Sequence, residues 1–120
     1  MPIHEIRPMI PITDLERSLA FYVRGLGLKL LNKNTEWGFA LLEGEDCRIM
    51  LDQSIRKEGS ANAVVYLYTD TLGALRECLC AAGYHPDPIN DTFYGMTEFR
   101  VRDPDKNWIW VGASERAKDG

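Results

Sequence analysis

Apolar and polar positions alternate most sharply over residues 94–112, YGMTEFRVRDPDKNWIWVG. Over 98–102, Glu98, Arg100 and Arg102 share one face and Phe99 and Val101 the other, which is the period of a half-buried strand. Asp103-Pro104-Asp105-Lys106-Asn107 predicts a turn, in which Pro104 presets its own φ and the Asp103 carboxylate caps backbone amides. Residues 108–112 predict the returning strand, with Ile109 and Val111 on one face and Trp108 and Trp110 on the other. The aliphatic face of this hairpin calls for a core. The opposite face is too aromatic for ordinary surface and too charged for an interior, so it is the candidate binding wall.

The same reading extends along the chain. Residues 6–12 predict a strand with Ile6, Ile10 and Ile12 on one face, placed at a sheet edge because Pro8 and Pro11 cannot donate to a ladder. Thr13-x-x-Glu16 has the form of a capping box. It opens a helix over 14–24 whose stripe is Leu15, Leu19, Tyr22 and Leu26, closed by Gly25 and Gly27. Short strands are expected at 29–32, 37–42 and 48–52, and 53–62 reads as a polar linker. Residues 63–68 predict a strand with Val64, Tyr66 and Tyr68 on one face. Asp70 is placed to cap a helix over 71–82 with Leu72, Leu75, Leu79 and Ala82 as its stripe. Residues 85–90 read as an extended loop and 114–120 as a polar tail.

These elements repeat. Thr13-Asp14-Leu15, Leu19 and Gly27 are echoed by Thr69-Asp70, Leu75 and Gly83, an offset of 56 residues, and Trp37-Gly38 by Tyr94-Gly95 one residue further on. Self-similarity at a fixed period predicts an α+β chain of two βαβββ units. We expect one domain over 1–120, with units at 6–52 and 63–112 joined by 53–62. Each unit would bury one sheet face under its helix, and the remaining faces would curl around a cleft.

Composition narrows the function. The 120 residues carry 45% hydrophobic and 27% charged side chains with a net charge of −4, ordinary for a soluble domain and unsuited to nucleic acid. No apolar run approaches the ~18 residues of a membrane span, and no secretory leader pattern is visible. Cys47, Cys78 and Cys80, an odd count without CxxC, fit reduced thiols in a cytoplasm. Neither His4 nor His85 has metal-ligand spacing around it, and His85 beside Pro86 reads as a loop residue. Glu5 shares the face of Arg7 and has no visible partner as a general base.

On TDLERSLAFYVRGLGL and the 94–112 hairpin, the chain resembles the vicinal oxygen chelate superfamily, which includes glyoxalase I, extradiol dioxygenases, and fosfomycin and bleomycin resistance proteins. The resemblance covers both halves and implies two βαβββ units forming curled sheets around a cleft. Its metalloenzymes carry His, Gln or Glu ligands on four strands. The helix and turn landmarks place those positions at Arg7, Val64, Trp110 and near Met50, none of which is a metal ligand. The resemblance is therefore nearest to the metal-free bleomycin resistance subgroup, which implies an acidic homodimer with aromatic clefts, no cofactor and no chemistry.

The candidate ligand-binding residues are Arg7, Trp37, Arg48, Met50, Val64, Tyr66, Tyr68, Glu98, Arg100, Trp108 and Trp110. Each also has a plain structural reading: the Trp and Tyr as packed core, and Arg7, Glu98 and Arg100 as an ion-pair network across the sheet. Arg7, Arg48 and Arg100 suit an anionic or carbonyl-bearing ligand better than a cationic drug. The leading expectation is a metal-independent protein that sequesters a planar or aromatic small molecule, an antibiotic being one candidate. The alternative is a glyoxalase- or dioxygenase-type metalloenzyme with an unconventional site, and a third possibility is a vestigial cleft in a chain that only assembles with a partner.

Overall fold

The computed structural model describes residues 3–55 and 62–113. The first unit comprises β1 (Met9–Pro11), α1 (Leu15–Leu19, continued by a π-helical stretch, Ala20–Gly25), β2 (Lys29–Asn34), β3 (Phe39–Gly44) and β4 (Cys47–Asp52). The second comprises β5 (Val64–Thr69), α2 (Leu72–Ala81), β6 (Asn90–Asp91), β7 (Thr97–Arg102) and β8 (Trp108–Ala113). Each unit forms a four-stranded mixed sheet, in the orders β1-β4-β3-β2 and β5-β8-β7-β6. In both, the opening strand lies parallel to the last and the other neighbours are antiparallel. The chain is thus βαβββ twice, as its repeat requires. Of the expected linker, residues 56–61 lie outside the described residues.

The repeat is visible in the backbone. Gly27 and Gly83 follow the last residues of their helices with φ of +78° and +96°, the left-handed conformation that ends a helix and that only glycine adopts without strain. Trp37 and Tyr94 each precede a glycine of positive φ in the turn before the third strand of their unit. Neither lies within a strand, contrary to the expected strand at 37–42.

Several local expectations are corrected. The paired part of β1 is shorter than 6–12. Pro8 has no N–H to donate and only accepts, taking the Met50 amide at 2.9 Å, and Ile10 and Ile12 are buried while Ile6 is exposed. The capping box does not form. Asp14 caps α1 by accepting from the Arg17 amide at 3.0 Å, the Thr13 hydroxyl donates to Asp105, and Glu16 accepts from Lys33 at 2.9 Å. Thr71, not Asp70, occupies the cap position of α2 and makes no side-chain capping bond. Asn90 belongs to β6 and not to a loop.

One core serves both units. Ile10, Ile12, Leu15, Leu19, Phe21 and Tyr22 of the first pack in the same cluster as Leu79, Phe99, Val101, Ile109 and Val111 of the second. Gly25 lets the helices approach, since a Cβ there would stand 2.8 Å from Leu79. The turn at 103–107 is stitched to α1. Asp105 accepts from the Thr13 amide at 3.1 Å and from Arg17 at 3.2 Å, and the Tyr22 hydroxyl donates to Asp103 at 2.6 Å. Asp103 also takes the backbone amides of Asp105 and Asn107, the capping expected of it. Buried carboxylates persist when hydrogen-bonded in this way. Among the described residues, no helix is long and apolar enough to cross a membrane.

Candidate functional site

The helix-distal face of the second sheet is built by strand register. Val64, Trp108 and Arg102 form one row across β5, β8 and β7, and Tyr66, Trp110 and Arg100 form the next. Tyr68, Gly112, Glu98 and Asn90 form a third row that reaches β6. The alternation of 98–102 against 108–112 dictates this face, because Phe99, Val101, Ile109 and Val111 all turn to the core.

Glu98 is the floor of the face. Its residue is 1% exposed, yet its side chain is fully engaged. One oxygen accepts from the Tyr66 hydroxyl at 2.7 Å. The other accepts from the Tyr94 hydroxyl and from Arg100 at 3.5 Å. Burial pushes the Glu98 pKa up, but the hydrogen bonds from Tyr94 and Tyr66 and the charge of Arg100 outweigh it and hold the carboxyl below its ordinary value of 4.5. Burial, the hydrogen bond to Glu98 and the carboxylate charge push the Tyr66 hydroxyl well above its usual range. The site therefore holds an ionised Glu98 carboxylate and a protonated Tyr66 phenol at neutral pH.

Gly112 makes this possible. A Cβ at that position would lie 2.3 Å from the Tyr66 hydroxyl oxygen, so the ring crosses the sheet where no side chain stands. Tyr66 also packs against Tyr68 and, edge-on, against Trp110, at centroid distances of 5.0 and 6.3 Å.

Two guanidiniums cover two indoles. Arg100 Cζ lies 3.5 Å from the centroid of the Trp110 ring, and Arg102 Cζ lies 4.1 Å from that of Trp108. Each is the cross-strand neighbour of the ring it covers, so these are cation–π pairs enforced by register. Among the described residues, the Trp110 indole Nε1 is buried without a hydrogen-bond partner. Val64 and Tyr68 stand out from the same face, 60% and 67% exposed. A cavity of about 670 Å³ opens beside Tyr66 and Tyr68, against the 44–47 turn of the first unit and over Leu26 and Leu75.

The remaining candidates lie on the first unit. Met50 sits between Met9 and Leu41 on the open face of its sheet. Arg48 pairs with Glu43 at 3.2 Å. Arg7 lies just before β1 and pairs with Glu5 at 3.0 Å, so Glu5 has a partner that the sequence did not reveal. Trp37 is 73% exposed beside a cavity of about 530 Å³ that it lines with Phe39 and Asp52. The structure thus joins Tyr66, Tyr68, Glu98, Arg100 and Trp110 into one contacting group, with Trp108 and Val64 in the adjoining row. The ion pairs of Arg7 and Arg48 stay on the first unit.

Tyr94, Arg102 and Gly112 were absent from the candidate set. Arg102 was legible from its alternation with Arg100, and Tyr94 from its echo of Trp37. Gly112 carried no signal, because its role is the space that it leaves open.

The metalloenzyme ligand positions do not fit a metal. Arg7, Met50, Val64 and Trp110 offer no imidazole or carboxylate, and among the described residues no three His, Cys, Asp or Glu side chains gather.

Comparison with known proteins agrees with this fold. TnmS3, an antibiotic binding protein from Streptomyces sp. CB03234, is 23% identical and superposes with a TM-score of 0.80 over 96% of this chain and 99% of its own. A bleomycin-binding protein solved in complex with bleomycin is 19% identical, with a TM-score of 0.75 over 94% of this chain and 100% of its own. A lactoylglutathione lyase from Agrobacterium tumefaciens is 17% identical, with a TM-score of 0.77 over 97% of each chain. At these identities the likeness establishes the fold, which binding proteins and an enzyme share. No curated protein matches the sequence. The family model for the Glyoxalase/Bleomycin resistance protein/Dioxygenase superfamily matches residues 3–111, and the chain belongs to that superfamily.

Proposed function

We propose that this protein is a metal-independent binding protein of the bleomycin resistance type, a homodimer that sequesters a planar or aromatic small molecule. One observation carries the reading: the Tyr66–Trp110–Arg100 row, seated on the buried Glu98, is an aromatic wall in which both oxygens of Glu98 are already engaged. Such a wall gives affinity by stacking and orientation by a few fixed polar groups. It presents no activated nucleophile and no ligand set for a Lewis acid. The fold likeness to proteins whose names record bleomycin or antibiotic binding supports the reading.

Isothermal titration against bleomycin and a panel of planar aromatic drugs tests it. At least one compound should bind, and Trp110→Ala should weaken that binding by roughly 2 kcal/mol, the scale of a buried aromatic anchor. Unchanged binding removes Trp110 from the site. The metalloenzyme reading makes an opposite prediction, and stoichiometric zinc, nickel, manganese or iron in protein purified without chelator would replace the proposal.

A further inference from the structure

An aromatic wall is expected to present ring faces to its ligand, but here two of the three rows present guanidiniums. Arg100 and Arg102 lie over Trp110 and Trp108 at 3.5 and 4.1 Å, van der Waals contact. A ligand cannot reach the Trp110 face without displacing Arg100, and Arg100 is further tethered to Glu98. We infer that the ligand stacks on Arg100 itself, with the guanidinium held between Trp110 and the ligand ring, and that the ligand is a planar aromatic bearing an anionic oxygen or paired carbonyls. This inference rests on the proposed binding function and deepens it by naming the ligand class.

Three features support the assignment. A guanidinium is planar and stacks on both of its faces, while its edge carries five N–H donors. For Arg100 the described contacts engage one of these, with Glu98, leaving donors for ligand oxygens. The other arginines of the candidate set, Arg7 and Arg48, are committed to Glu5 and Glu43. The charge around Arg100 is also polarised. On the β6 side, a cavity of about 410 Å³ is lined by Asp87, Asp91 and Glu98 with Arg100. On the other side, a cavity of about 350 Å³ brings Arg100 and Arg102 together with His85, Trp108 and Asp87. The first has an excess of carboxylates and repels an anion. The second has an excess of cations and receives it. The anionic edge of the ligand therefore points toward Arg102, about 7 Å along β7 by strand geometry, with the ring over Arg100.

The experiment uses two probes of one shape and opposite charge, 2-naphthoate and 2-naphthylmethylammonium, titrated into the full chain by NMR and calorimetry. Naphthoate should bind with the larger affinity, weaken as salt is raised, and shift the Arg100 Nε–H and Trp110 indole resonances together. Arg100→Gln should weaken naphthoate by about tenfold or more, and Arg100→Lys should fail to restore it because an ammonium offers no plane. Arg102→Gln should weaken naphthoate with little effect on the neutral ring, 2-methylnaphthalene. Far-UV circular dichroism of each variant separates lost binding from lost fold, and the wild-type shifts stand without any variant. If the ammonium probe binds as tightly as naphthoate, or if Arg100→Gln leaves naphthoate binding unchanged in a folded protein, the ligand class is wrong while the binding function stands. If neither these probes nor any compound of the planar drug panel binds, both the class and the binding function fall.

Discussion

At the residue scale, Gly112 and Glu98 form one device. Gly112 leaves a gap in the β8 side-chain row, the Tyr66 ring fills it, and its hydroxyl reaches Glu98. Gly112→Ala should force Tyr66 aside and destabilise the fold by about 1–3 kcal/mol, the usual cost of overpacking, with loss of ligand binding. Denaturant unfolding followed by tryptophan fluorescence measures the first and titration the second. The Glu98 carboxyl is held below 4.5, so the unfolded chain binds this proton more readily than the folded one. Its stabilisation is full above about pH 4.5 and is lost as the pH falls through the folded value. Tyr66→Phe removes one hydrogen bond to the ionised form. The stability gap between wild type and Tyr66→Phe should therefore be wider at pH 7 than at pH 3, and a gap that widens toward acid would contradict the assignment of charge to Glu98.

At the element scale, the two units are locked by the 103–107 turn and not by their apolar faces alone. Asp105 is buried and receives the Thr13 amide and hydroxyl, Ser18 and the Arg17 guanidinium. The hydrophobic pattern predicts both helices and the two strands that flank this turn, but it does not predict that Thr13 abandons its capping role. That role passes to Asp14 because the Thr13 hydroxyl has a buried carboxylate to reach, one 92 residues away in the chain. Asp105→Ala should leave Thr13 and Arg17 without their partner and cost about 3 kcal/mol or more. Thermal unfolding should fall accordingly, without loss of secondary structure content below the transition. A variant as stable as wild type would show that the turn and α1 are joined by apolar packing alone.

At the scale of the whole molecule, large apolar side chains remain uncovered. Trp37, Val64 and Tyr68 are exposed, and Phe93 is fully so. Among the described residues, β1 and β5 stand at the edges of their sheets with one side unpaired, a condition that proteins ordinarily cover. A symmetric homodimer that buries well above ~1,000 Å² would cover such surface and give two equivalent sites. Light scattering at micromolar concentration should then return twice the chain mass of 13.7 kDa, and a value of one chain mass would overturn the dimer. Ile6, exposed although it shares the period of Ile10 and Ile12, is the residue whose substitution by Asp should shift this equilibrium toward monomer if the N-terminal strand lies in the interface.

The architecture was legible in the chain because the repeat and the period-2 faces are local patterns, and local patterns survive any tertiary arrangement. The face shared by Glu98, Arg100, Arg102, Trp108 and Trp110 follows from alternation alone, and both helices lie within two residues of their expected ends. What only the tertiary structure decided depends on contacts between distant residues. Strand register set Arg100 on Trp110, turning an expected ring platform into a guanidinium surface. The void at Gly112 brought Tyr66 to Glu98, and the turn carrying Tyr94 closed over the same carboxylate. Glu5 took Arg7 while Asp105 took Thr13. A sequence records which groups can pair; the relative position of strands and turns, set by burial of the opposite faces, selects which of them do.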